Sequence, residues 1–183
     1  MESLAIDTAK FDRLVHYVIS KVGDPSRFGA IKLNKILYFS EYENVRLTGR
    51  PIAGATYVKR EFGPVPKEIT ESLERLKTSG LVSFEVVWQT HEESGEHYKR
   101  WIFSSHGSPD LSGFTKEELA LVDSHLDDIV NNHTAGSISD KSHNKVWEYA
   151  RDEEQIPWMA AYFVAIDPPT DLPLAPPPQL VAI

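Results

Sequence analysis

Thr56-Tyr57-Val58-Lys59-Arg60-Glu61-Phe62-Gly63-Pro64-Val65-Pro66 is the stretch where helical sequence gives way to extended backbone, and the fold follows from it. Residues 56–62, with β-branched and aromatic Thr56, Tyr57, Val58 and Phe62, read as extended backbone. Each proline biases its predecessor away from the helical region, so Gly63–Pro66 is predicted to be a rigid non-helical corner. A short helix is expected from Pro66 to Thr78, with Val65, Ile69, Leu73 and Leu76 facing inward and Gly80 ending it. Beyond it, Leu81–Thr90 and Tyr98–Ser104 flank the polar segment His91-Glu92-Glu93-Ser94-Gly95-Glu96 and predict a β-hairpin with a long acidic tip.

Upstream, two helices are legible. Asp7 is placed to cap the first, in which Phe11, Leu14, Val15, Val18, Ile19 and Val22 recur at helical spacing until Gly23-Asp24-Pro25. The second is expected from about Phe28 to Leu47 and is closed by Thr48-Gly49-Arg50-Pro51. Its aromatic residues Tyr38, Phe39 and Tyr42 are too widely spread for one narrow stripe, so that face is either deeply buried or used by a partner. Downstream, a Ser/Gly/Pro linker (104–113) leads to Thr115-Lys116-Glu117-Glu118, the pattern of a capping box. The helix it opens sets Leu119, Val122, Leu126, Ile129 and Val130 against an acidic face of Asp123, Asp127 and Asp128. Ser137-Ile138-Ser139-Asp140 is expected to cap a further helix carrying Val146, Trp147 and Ala150, and Pro157 to start a last short one. Six of the 17 residues from Asp167 onward are proline, which predicts an extended or disordered tail. The expected architecture is α+β and mainly helical. Five to six helices accompany a small β-hairpin or a three-stranded, winged-helix-like element, in a single domain over 1–166 with a tail over 167–183.

Composition narrows the function. With 41% hydrophobic residues the chain can build a core, and without cysteine it has no disulfide, thiol nucleophile or sulfur-ligated zinc. The longest uncharged run, Gln155–Ile166, has 12 residues, against the ~20 of a membrane-spanning helix. Met1-Glu2-Ser3 does not begin a secretory signal, and a cytoplasmic location is expected. The net charge of −8 disfavours nucleic acid. Its distribution is uneven. Residues 1–101 hold 15 Lys/Arg and 14 Asp/Glu, while residues 102–183 hold 4 and 13, so the second half is suited to a basic partner.

No glycine-rich phosphate loop, Gly-x-Ser-x-Gly elbow or His-Glu-x-x-His motif occurs. Asp123, Asp127 and Asp128 read as a solvated helix face, and His125, His133 and His143 lack a spacing that forces them onto one metal. Strand, helix and hairpin follow one another in winged-helix order, which leaves a DNA-binding regulator as the alternative function. The helix in the reading position, however, balances Lys67, Arg75 and Lys77 against Glu68, Glu71 and Glu74. The four tryptophans, Trp88, Trp101, Trp147 and Trp158, favour a protein-binding module, with Trp158 as the interface candidate.

The ordered set Lys32-Leu33-Asn34-Lys35-Ile36-Leu37-Tyr38-Phe39, Gly49-Arg50-Pro51-Ile52 and Tyr57-Val58-Lys59-Arg60-Glu61-Phe62-Gly63-Pro64-Val65 resembles the SocA-like Panacea domain family. Thr115–Glu118, Ile138-Ser139-Asp140-Lys141-Ser142-His143, Trp147 and Ile156-Pro157-Trp158 continue the resemblance, which covers about residues 10–165. It implies a bacterial or phage antitoxin that neutralises a cognate protein toxin by direct contact, with no enzymatic activity, no metal and no cofactor. A homo-oligomer is left open. The resemblance carries over Lys35, Tyr38, Gly63, Pro64, Val65, Trp147 and Pro157 as motif positions, with Gly63, Pro64 and Trp147 assigned to shape. Two surfaces compete for the partner. One is the acidic face with Asp123, Asp127 and Asp128; the other is basic and aromatic, with Lys35, Tyr38, Phe39, Arg60 and Phe62. A metal-dependent hydrolase is the remaining alternative.

Overall fold

A computed structural model describes residues 5–90, 95 and 97–163. Helix α1 (Thr8–Ser20) is capped by Asp7, whose carboxylate accepts from the Lys10 amide at 2.8 Å, and it buries Phe11, Leu14, Val15 and Val18 completely. Pro25–Arg27 form a 3-10 turn and Phe28 and Gly29 are extended, so α2 (Ala30–Thr48) starts two residues later than its periodicity predicts. Gly49, at φ 77°, adopts the left-handed conformation that ends α2 and donates its amide to the Val45 carbonyl.

Helix α2 is the axis of the protein. Its buried residues run around most of its circumference, because α1, α4 and α5 pack on it along with β2 and the chain near Trp158. Of the two expectations for its broad aromatic face, deep burial is what the structure shows. Each fully buried side chain such as Leu33, Ile36 or Leu37 contributes about 1.5–3 kcal/mol relative to exposure.

The stretch 57–66 is a tight antiparallel hairpin: β1 (Tyr57–Arg60) pairs with β2 (Gly63–Pro66), Arg60 opposite Gly63, across the two residues Glu61 and Phe62. Gly63–Pro66, expected as a corner, is thus itself a strand. It tolerates Pro64 and Pro66 because, among the described residues, its only strand partner is β1. Helix α3 (Ile69–Thr78) begins three residues after Pro66, and its Arg75 makes two 2.8 Å bonds to Asp12 on α1. Strands β3 (Val82–Thr90) and β4 (His97–Ser105) form the second hairpin, with Phe84 opposite Phe103 and Trp88 opposite Lys99.

The two hairpins remain separate sheets, so the hairpin expectation holds and the three-stranded winged-helix arrangement does not. The other side of β1 is taken by residues 153–156: Lys59 donates to the Glu154 carbonyl, Glu153 to Lys59, and Ile156 to Tyr57 at 2.8 Å. Helix α4 (Lys116–Asn132) has the predicted capping box of Thr115 and Glu118. The helix expected beyond it is two helices, α5 (Ala135–Lys141) capped by Thr134 and α6 (Lys145–Tyr149) capped by Asn144. Ser137–Asp140 lie inside α5 instead of capping it, because Thr134 and Ser137 already satisfy one another's amides. Pro157 precedes a 3-10 turn, Trp158–Tyr162. The hairpin tip other than Gly95 and the tail from 164 lie outside the described residues. Among the described residues no helix is long and apolar enough to cross a membrane.

Candidate functional site

Lys35, Gly63, Pro64 and Trp147 converge where β2 begins. Lys35 projects from α2 and is 1% exposed; its ammonium donates to the Pro64 carbonyl at 2.9 Å and has no carboxylate partner among the described residues. Burial pulls it down to about 7. Above it, Gly63 has φ 94°, and a Cβ there would overlap the Ser142 hydroxyl and stand 2.6 Å from the Lys35 ammonium. Ser142 is itself held by its hydroxyl donating to the Ser139 carbonyl at 2.6 Å.

The outer edge of this knot is Trp147. Its ring stacks flat on His143, with centroids 3.6 Å apart, and its indole N–H donates to the Arg60 carbonyl at 3.2 Å. Lys59 lies over the same ring at 4.3 Å and donates to the Glu148 and Ala150 carbonyls, the C-terminal end of α6. Lys35, Gly63, Pro64 and Trp147 therefore lock α2, β1–β2, α5 and α6 together. Their chemistry is positional, with no accessible nucleophile among them.

Several sequence candidates are not at the surface. Lys35, Tyr38 and Phe39 are 1%, 0% and 2% exposed, so a partner docking on the described surface cannot reach them. Tyr38 joins Tyr42, Tyr57 and Trp158 in an aromatic cluster, with Trp158 4.8 Å from Tyr42 between ring centroids. Trp158 is thus half-buried and packs against the core through this cluster. Val65 is half-buried, and Pro157 is exposed.

The acidic face is not free either. Asp123 accepts from the Tyr17 hydroxyl at 2.7 Å and the Lys21 ammonium at 3.3 Å, and Asp128 sits 3.4 Å from His133 and 3.6 Å from Lys141. Asp127 is exposed and, among the described residues, accepts from Asn131 at 2.7 Å. Asp123 and Asp128 thus face cations of neighbouring segments, while Asp127 has no cationic partner among the described residues. Nor do His125, His133 and His143 meet: His125 stacks near Phe39, where burial pulls it down to about 4, and the other two belong to α4–α5 and α6 contacts. Among the described residues no group of three or more His, Asp or Glu is placed to hold a metal ion.

Arg60 and Phe62 stand at the tip of the β1–β2 hairpin, exposed, with Phe62 at 52%. Arg60 forms an ion pair with Glu153 that is open to water and contributes little to stability. On α6, whose Trp147 indole meets the Arg60 carbonyl, Tyr149 is 86% exposed. This residue was not legible as a candidate, because α6 was read as part of a longer helix. Also missed was Glu41 on α2, fully buried and accepting from the Ile52, Ala53, Gly54 and Ala55 amides at 2.6–3.4 Å. Burial pushes its carboxyl up to about 7 while these amides pull the other way. The available signal was a run without polar side chains, Ile52-Ala53-Gly54-Ala55, which cannot satisfy its own amides.

A family model described as antitoxin SocA-like, Panacea domain, matches residues 33–148. The chain belongs to the SocA-like Panacea family. Among curated proteins and among solved structures nothing matches it. The Panacea match takes in the whole knot from Lys35 to Trp147 and both hairpins, and it stops one residue short of Tyr149. It is shorter at each end than the resemblance read from the sequence, leaving α1 and Pro157–Trp158 outside.

The knot has a measurable signature. Lys35 is held near 7 in the fold and titrates near 10.5 when unfolded, so the unfolded state binds the extra proton in between. The stability Lys35 allows is therefore full above about 10.5 and lost as pH falls through about 7. Lys35→Met removes this loss, at the cost of one bond to Pro64. Chemical denaturation at several pH values is expected to show the variant gaining on the wild type as pH falls from about 10 to about 7, by up to ~4 kcal/mol. A difference independent of pH would contradict the buried, unpaired ammonium.

Proposed function

We propose that the chain is an antitoxin that neutralises a cognate protein toxin in the cytoplasm by direct contact, without catalysis. Membership of the Panacea family supports the antitoxin role. The observation that carries the mode of action is the edge formed by the β1–β2 tip and α6. There Arg60, Phe62 and Tyr149 present two aromatic rings and a guanidinium to solvent on a backbone locked by the Trp147 knot. Aromatic and arginine side chains on a rigid support are the usual anchors of protein interfaces, since little conformational entropy is lost on docking.

Phe62→Ala and Tyr149→Ala test this surface. Both rings are exposed, so melting temperatures are expected to stay within about a degree of wild type. Affinity for the toxin encoded beside this chain's gene is expected to fall at least about tenfold for each, the effect of losing an interface anchor. Unchanged affinity in both variants, with the fold intact, would remove this edge from the interface.

A further inference from the structure

Between β4 and the start of α2 lies a cleft of about 650 Å³, separate from the knot, and its wall chemistry is one-sided. Arg27, Lys32, Lys99 and Arg100 line it, and no described Asp or Glu does. None of the four cations forms a salt bridge among the described residues. Each is held instead by a neutral group. Lys32, only 7% exposed, donates to the Val130 carbonyl at 3.2 Å and Arg27 to the Asn131 carbonyl at 3.1 Å. Arg100 donates to the Pro25 carbonyl at 3.0 Å, and Lys99 rests 5.2 Å above the Trp88 ring. Asp24, a carboxylate that feels Arg27 and Arg100, lies outside the lining and caps the 3-10 turn through Ser26.

Positioned cations without counter-ions are what an anion site requires before its ligand arrives. Two further features belong to the same cleft. Helix α2 opens into it at Gly29, which has no side chain to cap the first-turn amides. Phe62, Tyr98 and Trp101 supply aromatic walls. The volume is in the range of sites for small organic ligands and exceeds what an isolated phosphate fills.

We propose that this cleft binds a small phosphorylated ligand carrying a planar ring, of the nucleotide class, with the phosphates against Lys32, Arg27 and the α2 amides and the ring against the aromatic wall. The cleft shares Phe62 with the toxin-docking edge, but the inference does not rest on that reading, and its test needs no toxin. Isothermal titration of the isolated full chain in magnesium-free buffer would use ATP, adenosine and inorganic pyrophosphate as probes. ATP is expected to bind, and adenosine and pyrophosphate each at least about tenfold more weakly. Lys32→Met keeps the bulk of the side chain and Lys99→Ala alters an exposed one; each is expected to weaken ATP about tenfold with the thermal transition retained. No ATP binding at millimolar concentration would overturn the site, as would affinities unchanged in both variants. Pyrophosphate binding as tightly as ATP would overturn the ring subsite.

Discussion

Glu41→Ala is expected to destabilise the fold by about 4 kcal/mol or more, a large part of the roughly 5–15 kcal/mol that holds a domain together. The carboxylate is fully buried and accepts from four consecutive backbone amides, with Ile52 at 2.6 Å and Ala53 at 3.1 Å. Truncation leaves those donors facing a cavity, and each unsatisfied buried group costs about 1–3 kcal/mol. Partial entry of water keeps the total below the sum. The segment from Gly49 to Thr56 also sets the approach of β1 to α2, and its Ala53 carbonyl receives the Asp7 amide at 2.9 Å. Loss of the carboxylate therefore reaches the start of α1 as well. Glu41→Gln retains one acceptor oxygen and is expected to fall between the two. Denaturant unfolding of the three proteins measures this order; an alanine variant within 1 kcal/mol of wild type would contradict the role given to Glu41.

Gly63→Ala is the second large effect, expected at about 3 kcal/mol or more. A side chain at φ 94° is strained by about 1–3 kcal/mol whatever surrounds it. Here the added Cβ also meets the Ser142 hydroxyl and the Lys35 ammonium, both on side chains with about 1% exposure and no room to retreat. The two contributions separate in a double variant. Ser142→Ala removes one obstacle and leaves the backbone strain, so Gly63→Ala/Ser142→Ala is expected to be less unstable than the sum of the singles. Strict additivity would mean that backbone strain alone requires glycine at this position.

Both effects involve contacts between separate elements, the Gly63 contacts reaching as far as Ser142, and they mark the limit of what a single chain reveals. The helices α1, α2 and α4 were legible because their apolar residues repeat at helical spacing and their ends carry Asp7, Gly49 and Thr115. The β3–β4 hairpin was legible from two β-rich runs about a polar segment. The division of α5 from α6 was not, since Thr134 and Asn144 are ordinary polar residues until their side chains are seen on the Ser137 and Trp147 amides. Nor was the edge pairing of residues 153–156 with β1, which has no local pattern.

The candidate surface was half legible. Arg60 and Phe62 are exposed as expected, because a two-residue turn leaves its neighbours no cover. Lys35, Tyr38 and Phe39 were drawn to the surface list by charge and aromaticity, yet α2 is wrapped on most sides and buries them. Asp123 and Asp128 read as a solvated helix face, and their cations Lys21 and Lys141 come from other helices that periodicity cannot align.

Whether this Panacea chain acts by surface contact is decided by titrating it, purified, against the purified product of the reading frame beside its gene while that product's toxic activity is followed. A saturable complex of fixed stoichiometry is predicted, with activity lost in proportion to the complex formed and weakened by Phe62→Ala and Tyr149→Ala. Loss of activity with no complex, or continued loss at substoichiometric amounts of the chain, would contradict it and point to turnover instead.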